Sequence, residues 1–86
     1  MTDVTFVVRN KVGLHARPAS LLVKTASRFE SKITIIKENV AVDAKSILSL
    51  LTLGACKGDR ITITANGRDE KEAIQKIVDT LQNFED

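Results

Sequence analysis

Short stretches of the chain alternate apolar and polar residues, and each stretch has one apolar face. The clearest is 60–65, RITITA, where Ile61, Ile63 and Ala65 alternate with threonines. Successive side chains of a strand point to opposite faces of a sheet, so this period predicts strands with one buried side. The same period recurs over 4–9, 32–36 and 40–43. Because a sheet with one apolar face needs helices on that face alone, the pattern predicts a two-layer α+β sandwich.

Two segments between these strands change to helical spacing. Over 16–29 the apolar residues follow a period of 3.6, and Pro18 suits the first turn because its missing N–H breaks no helical bond. Ser46 precedes the apolar run ILSLLTL as a natural N-cap, and Gly54 is a natural end of that helix.

The last third of the chain predicts a third helix. Asp69 and Glu72 resemble a capping box, and one apolar face follows, made of Ala73, Ile74, Ile77, Val78 and Leu81. A hairpin is expected between 32–36 and 40–43 with Asn39 at its tip, since asparagine tolerates a positive φ. The order is therefore β-α-β-β-α-β-α, an open-faced sandwich whose four-stranded antiparallel sheet is covered on one face by helices.

Composition limits the classes of function. The 86 residues fit one domain, 1–86, and with no Trp, no Tyr and three Phe its core must be aliphatic. A net charge of +2 and scarce stacking aromatics argue against a nucleic-acid partner. One cysteine allows no intrachain disulfide, and neither a secretory signal nor an apolar run of about 18 residues is present. We expect a soluble cytoplasmic protein with no direct membrane insertion.

The single histidine lies in VGLHARPAS, just before the helix that Pro18 helps to start. The first amides of a helix have no internal acceptors and carry partial positive charge, so such a site binds phosphate and disfavours an imidazolium. A neutral His15 keeps a nucleophilic lone pair, and Arg17 adds a cation for phosphoryl oxygens. The segment therefore predicts a phosphoryl acceptor. A histidine that merely caps the helix or lies in an exposed loop is an equal alternative on spacing alone.

Other catalytic motifs are missing from the sequence. It has no G-x-x-x-x-G-K-[ST] loop, no acidic pair placed for Mg²⁺ and no Cys/His cluster spaced for zinc. No metal or cofactor is predicted, and other proteins would have to deliver and remove a phosphoryl group on His15. This describes an intermediate in a transfer chain rather than a stand-alone catalyst, so enzyme status stays open.

The segment GLHARPA at 13–19 resembles the active-site signature of the HPr family, the histidine-containing phosphocarriers of the bacterial phosphoenolpyruvate:sugar phosphotransferase system. KSILSLLTLGACKGD at 45–59 is similar to that family's regulatory-serine segment. The resemblance implies that enzyme I phosphorylates His15 on Nδ1, that Arg17 contacts the phosphoryl group, and that enzyme IIA domains receive it. It also implies phosphorylation of Ser46 by an HPr kinase/phosphorylase, with a catabolite-control transcription regulator as a further partner.

Partner docking is expected around His15. The segment after Ser46 has more apolar residues than one buried stripe can hold, so Leu48 and Leu51 are predicted on the surface together with Ile47. The alternative is that all three are core. The remaining candidates for the docking surface are Ala16, Ser20, Lys24 and Ser27.

Two further expectations follow from the resemblance. The protein should act as a monomer, and a regulatory paralogue in nitrogen-related phosphotransfer or transcriptional control is the alternative function. Retention of His15 and Arg17 favours the carrier. Val12 departs from the polar residue that many relatives carry there, which puts a hydrogen bond from that side chain to the phosphoryl group in doubt.

Overall fold

A computed structural model describes residues 1–84 of the chain, and its elements follow the predicted order. The strands are β1 (Thr2–Val7), β2 (Lys32–Lys37), β3 (Val40–Asp43) and β4 (Arg60–Asn66). The helices are α1 (Ala16–Ala26), α2 (Ile47–Leu53) and α3 (Glu70–Gln82). Among the helices of this described part, none has the length and apolarity that a membrane crossing requires.

The strands form one sheet in the order β1-β4-β2-β3, and every neighbouring pair is antiparallel. Ile63 of β4 is opposite both Val4 of β1 and Ile35 of β2, so one row of aliphatic residues crosses the sheet. Thr62 and Thr5 lie opposite each other in the alternate row, where β1 residues are exposed. The predicted two-sided character of the sheet is confirmed.

The core lies between the inner face of the sheet and the helices. α1 buries Ala19, Leu22 and Ala26, α2 buries Leu50 and Leu53, and α3 buries Ala73, Ile77 and Leu81. Ile33, Ile35, Ile61 and Ile63 are buried on the sheet side. These side chains are aliphatic, as predicted from the lack of Trp and Tyr.

β1 begins and ends two residues earlier than predicted. Thr2 already pairs with Ala65 because β4 is long enough to meet it. Val8 stays buried on the predicted face, but its amide donates to the Asp59 carbonyl at 2.9 Å, outside the regular ladder. The chain is therefore tied to the 58–59 turn where the strand stops.

α1 ends three residues earlier than predicted, and the reason is a contact with the start of α3. The amides of Arg28 and Phe29 bond three residues back, which tightens the end of the helix. The next two amides, those of Glu30 and Ser31, donate to the Asp69 carboxylate at 2.9 and 3.0 Å. The chain therefore leaves the helical path after Phe29, which remains half-buried against the core.

Two local predictions differ from the structure. Asn39 lies in the two-residue turn of the β2–β3 hairpin, as predicted, but the left-handed residue is Glu38, with φ 56°, because such a turn needs positive φ at its first central position. Asp69 is the N-cap residue of α3 but makes no side-chain capping bond, since Ser31 and its neighbour occupy the carboxylate. Glu70 reaches back instead and accepts from the Gly67 amide at 3.2 Å.

Candidate functional site

The loop that carries the histidine is closed by a buried asparagine. Asn10 donates through Nδ2 to the Gly13 carbonyl at 2.7 Å, and the Gly13 amide donates back to the Asn10 carbonyl at 3.2 Å. Asn10 is buried, so this pair of bonds satisfies a polar side chain that would otherwise be costly to bury. The tight turn leads Leu14 into the core and His15 out to the surface.

Gly13 lies so close to a second loop that no side chain fits. Its φ is 65°, and a Cβ there would overlap the Ala55 carbonyl oxygen and lie 2.8 Å from the Cys56 Cα. The Leu14 amide donates to the same Ala55 carbonyl at 2.9 Å. Ala55, in the loop after α2, therefore sets the position of the backbone where the chain enters α1.

His15 is the N-cap residue of α1 and is exposed. Its backbone is extended, with φ −89° and ψ −168°, and its carbonyl accepts the first helical bond from the Ala19 amide at 2.9 Å. Its side chain makes no capping hydrogen bond to the first turn. Pro18 occupies the first turn, as predicted, and is buried. Arg17 is the second helical residue and is exposed.

The loop under His15 is held by an ion pair from the sheet. Lys37 Nζ lies 3.1 Å from Asp59 Oδ2 and donates to the Gly54 carbonyl at 3.1 Å, while the Cys56 amide donates to the same carboxylate at 2.8 Å. The Cys56 amide and the Lys37 ammonium lower the pKa of Asp59, and hydrogen bonding to Asp59 raises the pKa of Lys37. These contacts keep the 54–59 loop, and hence Ala55, in place beneath Gly13.

Large apolar side chains are exposed next to this loop. Leu48 is 70% exposed, and Ile47 and Leu51 are also exposed, while Leu50 and Leu53 face the core. α2 therefore has the two-sided character that its excess of apolar residues predicted. Val12 and Leu21 are also exposed, and we call the set of five exposed apolar residues the apolar patch: Val12, Leu21, Ile47, Leu48 and Leu51.

Ser46 is the N-cap of α2, as predicted. Its Oγ accepts from the Ser49 amide at 3.3 Å, and its carbonyl accepts from the Leu50 amide at 3.1 Å. The helix ends at Gly54, which has φ 67° and ψ 32°. Ser46 is half-buried, so its hydroxyl is involved in capping and still lies at the protein surface.

The other predicted docking residues lie along α1. Ala16, Ser20 and Lys24 are exposed, and Ser20 and Lys24 are one turn apart on the same side of the helix. Ser27 is exposed but forms the C-cap, about 18 Å along the helix axis from His15, so it is not close to the histidine.

Some supporting residues were not identified from the sequence. The sequence indicates only that Asn10 is a turn residue, but its buried side chain also closes the loop by a hydrogen bond. Leu21 has no predicted role, although its position beside the buried Leu22 places it off the core stripe. Lys45 is half-buried, and its ammonium donates to the Phe29 carbonyl at 2.7 Å. An asparagine three residues before a glycine was the one signal in the sequence for this loop.

An antiparallel sheet under three helices, with an exposed histidine at the start of the first helix, is an arrangement that suits a small phosphocarrier domain. Comparison with known proteins agrees with this class. A family profile described as PTS HPr component phosphorylation site matches residues 2–83. The chain therefore belongs to the HPr family and is a phosphocarrier of the phosphotransferase system.

Solved structures give the same result. HPr from Thermoanaerobacter tengcongensis is 48% identical with a TM-score of 0.92, and the match covers 95% of this chain and 92% of that one. HPr from Bacillus anthracis is 40% identical with a TM-score of 0.89, over 94% of this chain and 96% of that one. The catabolite repression protein Crh of Bacillus subtilis, described as a swapped dimer, is 41% identical with a TM-score of 0.77, over 95% and 94%.

Proposed function

We propose that residues 1–86 act as a single HPr domain that accepts a phosphoryl group on His15 from phosphorylated enzyme I and passes it to enzyme IIA domains of sugar permeases. The observation that carries the proposal is the exposed His15 at the N-cap of α1. The first-turn amides point out of this helix end, where a developing negative charge is stabilised. Arg17, in the first turn, supplies the cation for the phosphoryl oxygens.

The chemistry is an exchange of one bond for another. A ring nitrogen of neutral His15 attacks phosphorus while the bond from phosphorus to the donor breaks, and the donor leaves with the bonding electrons. The reverse sequence passes the group to the acceptor. A phosphoramidate formed in this way is labile in acid, unlike a serine ester.

Intact mass tests this step directly. The protein is incubated with enzyme I, phosphoenolpyruvate and Mg²⁺, and its mass is measured before and after brief acid treatment. One phosphoryl group that acid removes is expected, with none on His15→Ala. Arg17→Ala should slow the transfer, and Arg17→Lys should restore part of the rate because the positive charge is retained. A stable adduct on His15→Ala would contradict the proposal.

We infer that partners dock on the apolar patch beside His15. Leu48→Glu places a charge in this patch and should raise KM for phosphorylated enzyme I about tenfold. Val40→Glu is the matched control, since Val40 is 55% exposed on the edge strand β3, outside the patch. Equal effects of the two variants would argue against docking on the patch.

We also infer regulation through Ser46. Phosphate on its hydroxyl would add negative charge beside the apolar patch and repel acidic partners. Incubation with ATP and an HPr kinase/phosphorylase should yield an acid-stable adduct, absent from Ser46→Ala and present on the control Ser49→Ala. The phosphorylated form is then the one expected to bind a catabolite-control transcription regulator.

A regulatory protein is the second candidate, favoured by the 41% identity to Crh. The two candidates differ in one measurement, because the carrier requires acid-labile phosphate on His15 at a rate that supports turnover. We propose that the carrier form is a cytoplasmic monomer. Light scattering on the protein during transfer would detect a swapped dimer of the kind described for Crh.

A further inference from the structure

An open groove of about 420 Å³ runs between α1 and α3. The two helices are antiparallel, because Asp69 at the start of α3 bonds the residues after α1 and Thr80 lies beside Thr25. The Thr25 and Thr80 hydroxyl oxygens are 3.1 Å apart and lie in the lining of the groove. The groove therefore extends from the His15 half of α1 to its far end.

The lining of the groove is strongly cationic. Lys24, Arg28 and Lys76 line it, against the single carboxylate of Asp79. That carboxylate already accepts from the Gln75 amide nitrogen at 3.1 Å. Within residues 1–84, none of the three cations is within ion-pair distance of a carboxylate. The groove thus has positive charge that the described part of the chain does not neutralise.

The two ends of the groove differ in chemistry. Leu21 and Phe84 line the end nearer to His15, and Leu21 lies about 9 Å along the helix axis from that residue. Arg28 and Lys76 line the other end, and Arg28 lies just beyond the C-terminal end of α1. A ligand that fills the groove would meet apolar side chains first and cations further from the histidine.

We propose that this groove binds an acidic segment of the protein that delivers the phosphoryl group to His15. Leu21 lines the groove and is an exposed apolar residue of α1, the helix that begins after His15. A donor seated over His15 would reach the groove with an adjoining stretch of chain. An apolar side chain of that stretch fits between Leu21 and Phe84, and its carboxylates face Lys24, Arg28 and Lys76.

The form of the groove favours a segment of chain over a small anion. Its cations are exposed and spread along the helices instead of converging on one point. Charges arranged in this way act mainly on the rate of encounter and on the orientation of the partner. The proposal rests on the proposed function of His15 and adds the determinant that guides the donor.

The test compares two double variants with the same change in net charge. Arg28→Glu with Lys76→Glu reverses the groove, and Lys32→Glu with Lys71→Glu reverses exposed positions outside it. Phosphoryl transfer from phosphorylated enzyme I is timed by rapid quench at low and high salt. At low salt the groove variant should raise KM about tenfold with kcat unchanged, and the control should stay within about twofold. At high salt the difference should largely disappear.

The outcomes separate the two proposals. If the wild type takes no phosphoryl group on His15, the proposed function fails and the groove proposal fails with it. If the wild type is phosphorylated but KM rises equally in both double variants, only net charge matters and the groove proposal alone is overturned. The groove proposal is also overturned if the groove variant leaves KM unchanged and light scattering shows that its oligomeric state has changed. Arg28→Lys with Lys76→Arg should retain wild-type kinetics.

Discussion

Replacing Gly13 by alanine should damage the His15 loop much more than the same change at Gly54. The two glycines have nearly the same φ, 65° and 67°, so the left-handed backbone costs an alanine about 1–2 kcal/mol at either position. Their surroundings differ. A Cβ at Gly54 meets nothing within 4 Å, whereas a Cβ at Gly13 overlaps the Ala55 carbonyl oxygen. Gly54→Ala is therefore a control for backbone strain alone.

The additional cost at Gly13 comes from backbone atoms that cannot rotate away. The Ala55 carbonyl must shift, and this breaks its 2.9 Å hydrogen bond from the Leu14 amide. Leu14 and Ala55 are both buried, so leaving these groups unsatisfied costs about 1–3 kcal/mol. We expect Gly13→Ala to lower the free energy of unfolding by about 2–5 kcal/mol, against about 1–2 kcal/mol for Gly54→Ala.

Urea unfolding followed by far-ultraviolet circular dichroism measures both variants, since the chain has no Trp or Tyr for fluorescence. The rate of phosphoryl transfer from enzyme I is measured under conditions where both remain folded. Gly13→Ala should lose rate because His15 moves with Leu14, and Gly54→Ala should lose little. Equal losses of stability and rate would refute the reasoning, because Ala55 would then be able to move without disturbing His15.

Other perturbations test contacts away from this loop. The Thr2 hydroxyl and the N-terminal ammonium lower the pKa of Glu70 from 4.5 to about 2, so its stabilisation is complete above 4.5 and lost as pH falls towards 2. In thermal melts, the Tm of Glu70→Gln should fall less than the Tm of the wild type as the pH is lowered across that range. Ser46→Ala should cost about 1 kcal/mol in urea unfolding, and Ser46→Asp should retain most of the cap. Asp69→Ala should speed hydrogen exchange of the Ser31 amide, whereas unchanged protection would contradict the observed bond.

The fold could be predicted because the alternation of apolar and polar residues that determines it involves only neighbouring positions. Alternation fixes which residues of a strand face inward, and Ile61, Ile63 and Ala65 are buried as predicted. The errors arose where a distant residue competed with a local rule. The sequence around Asp69 is typical of a capping residue, but its carboxylate accepts hydrogen bonds from amides 38 and 39 positions earlier in the chain. Propensity within a short window contains no information about such a partner.

Only the part of the candidate site formed by the His15 segment could be predicted from the sequence. His15, Pro18 and Gly13 are close together in sequence, so they predict a helix start with a tight preceding turn. The other side comes from the end of α2, where Ala55 receives the Leu14 amide across a long separation in sequence. The Lys45 ammonium donates to the Phe29 carbonyl, 16 positions earlier in the chain. Charge alone does not distinguish a docking residue from one that satisfies a backbone group.

The contact between these two sides also links the proposed phosphoryl acceptor to the proposed docking surface. The segment that leaves α2 carries Ala55, which positions His15 through Leu14, and α2 itself carries Leu48 and Leu51. A displacement of α2 would therefore move Leu48, Leu51 and the histidine together. Under the proposed function, a donor and then an acceptor would reach the same ring nitrogen of His15, and this coupling would present the same local geometry to each. Lys37 and Asp59, which hold the 54–59 loop to the sheet, maintain that geometry.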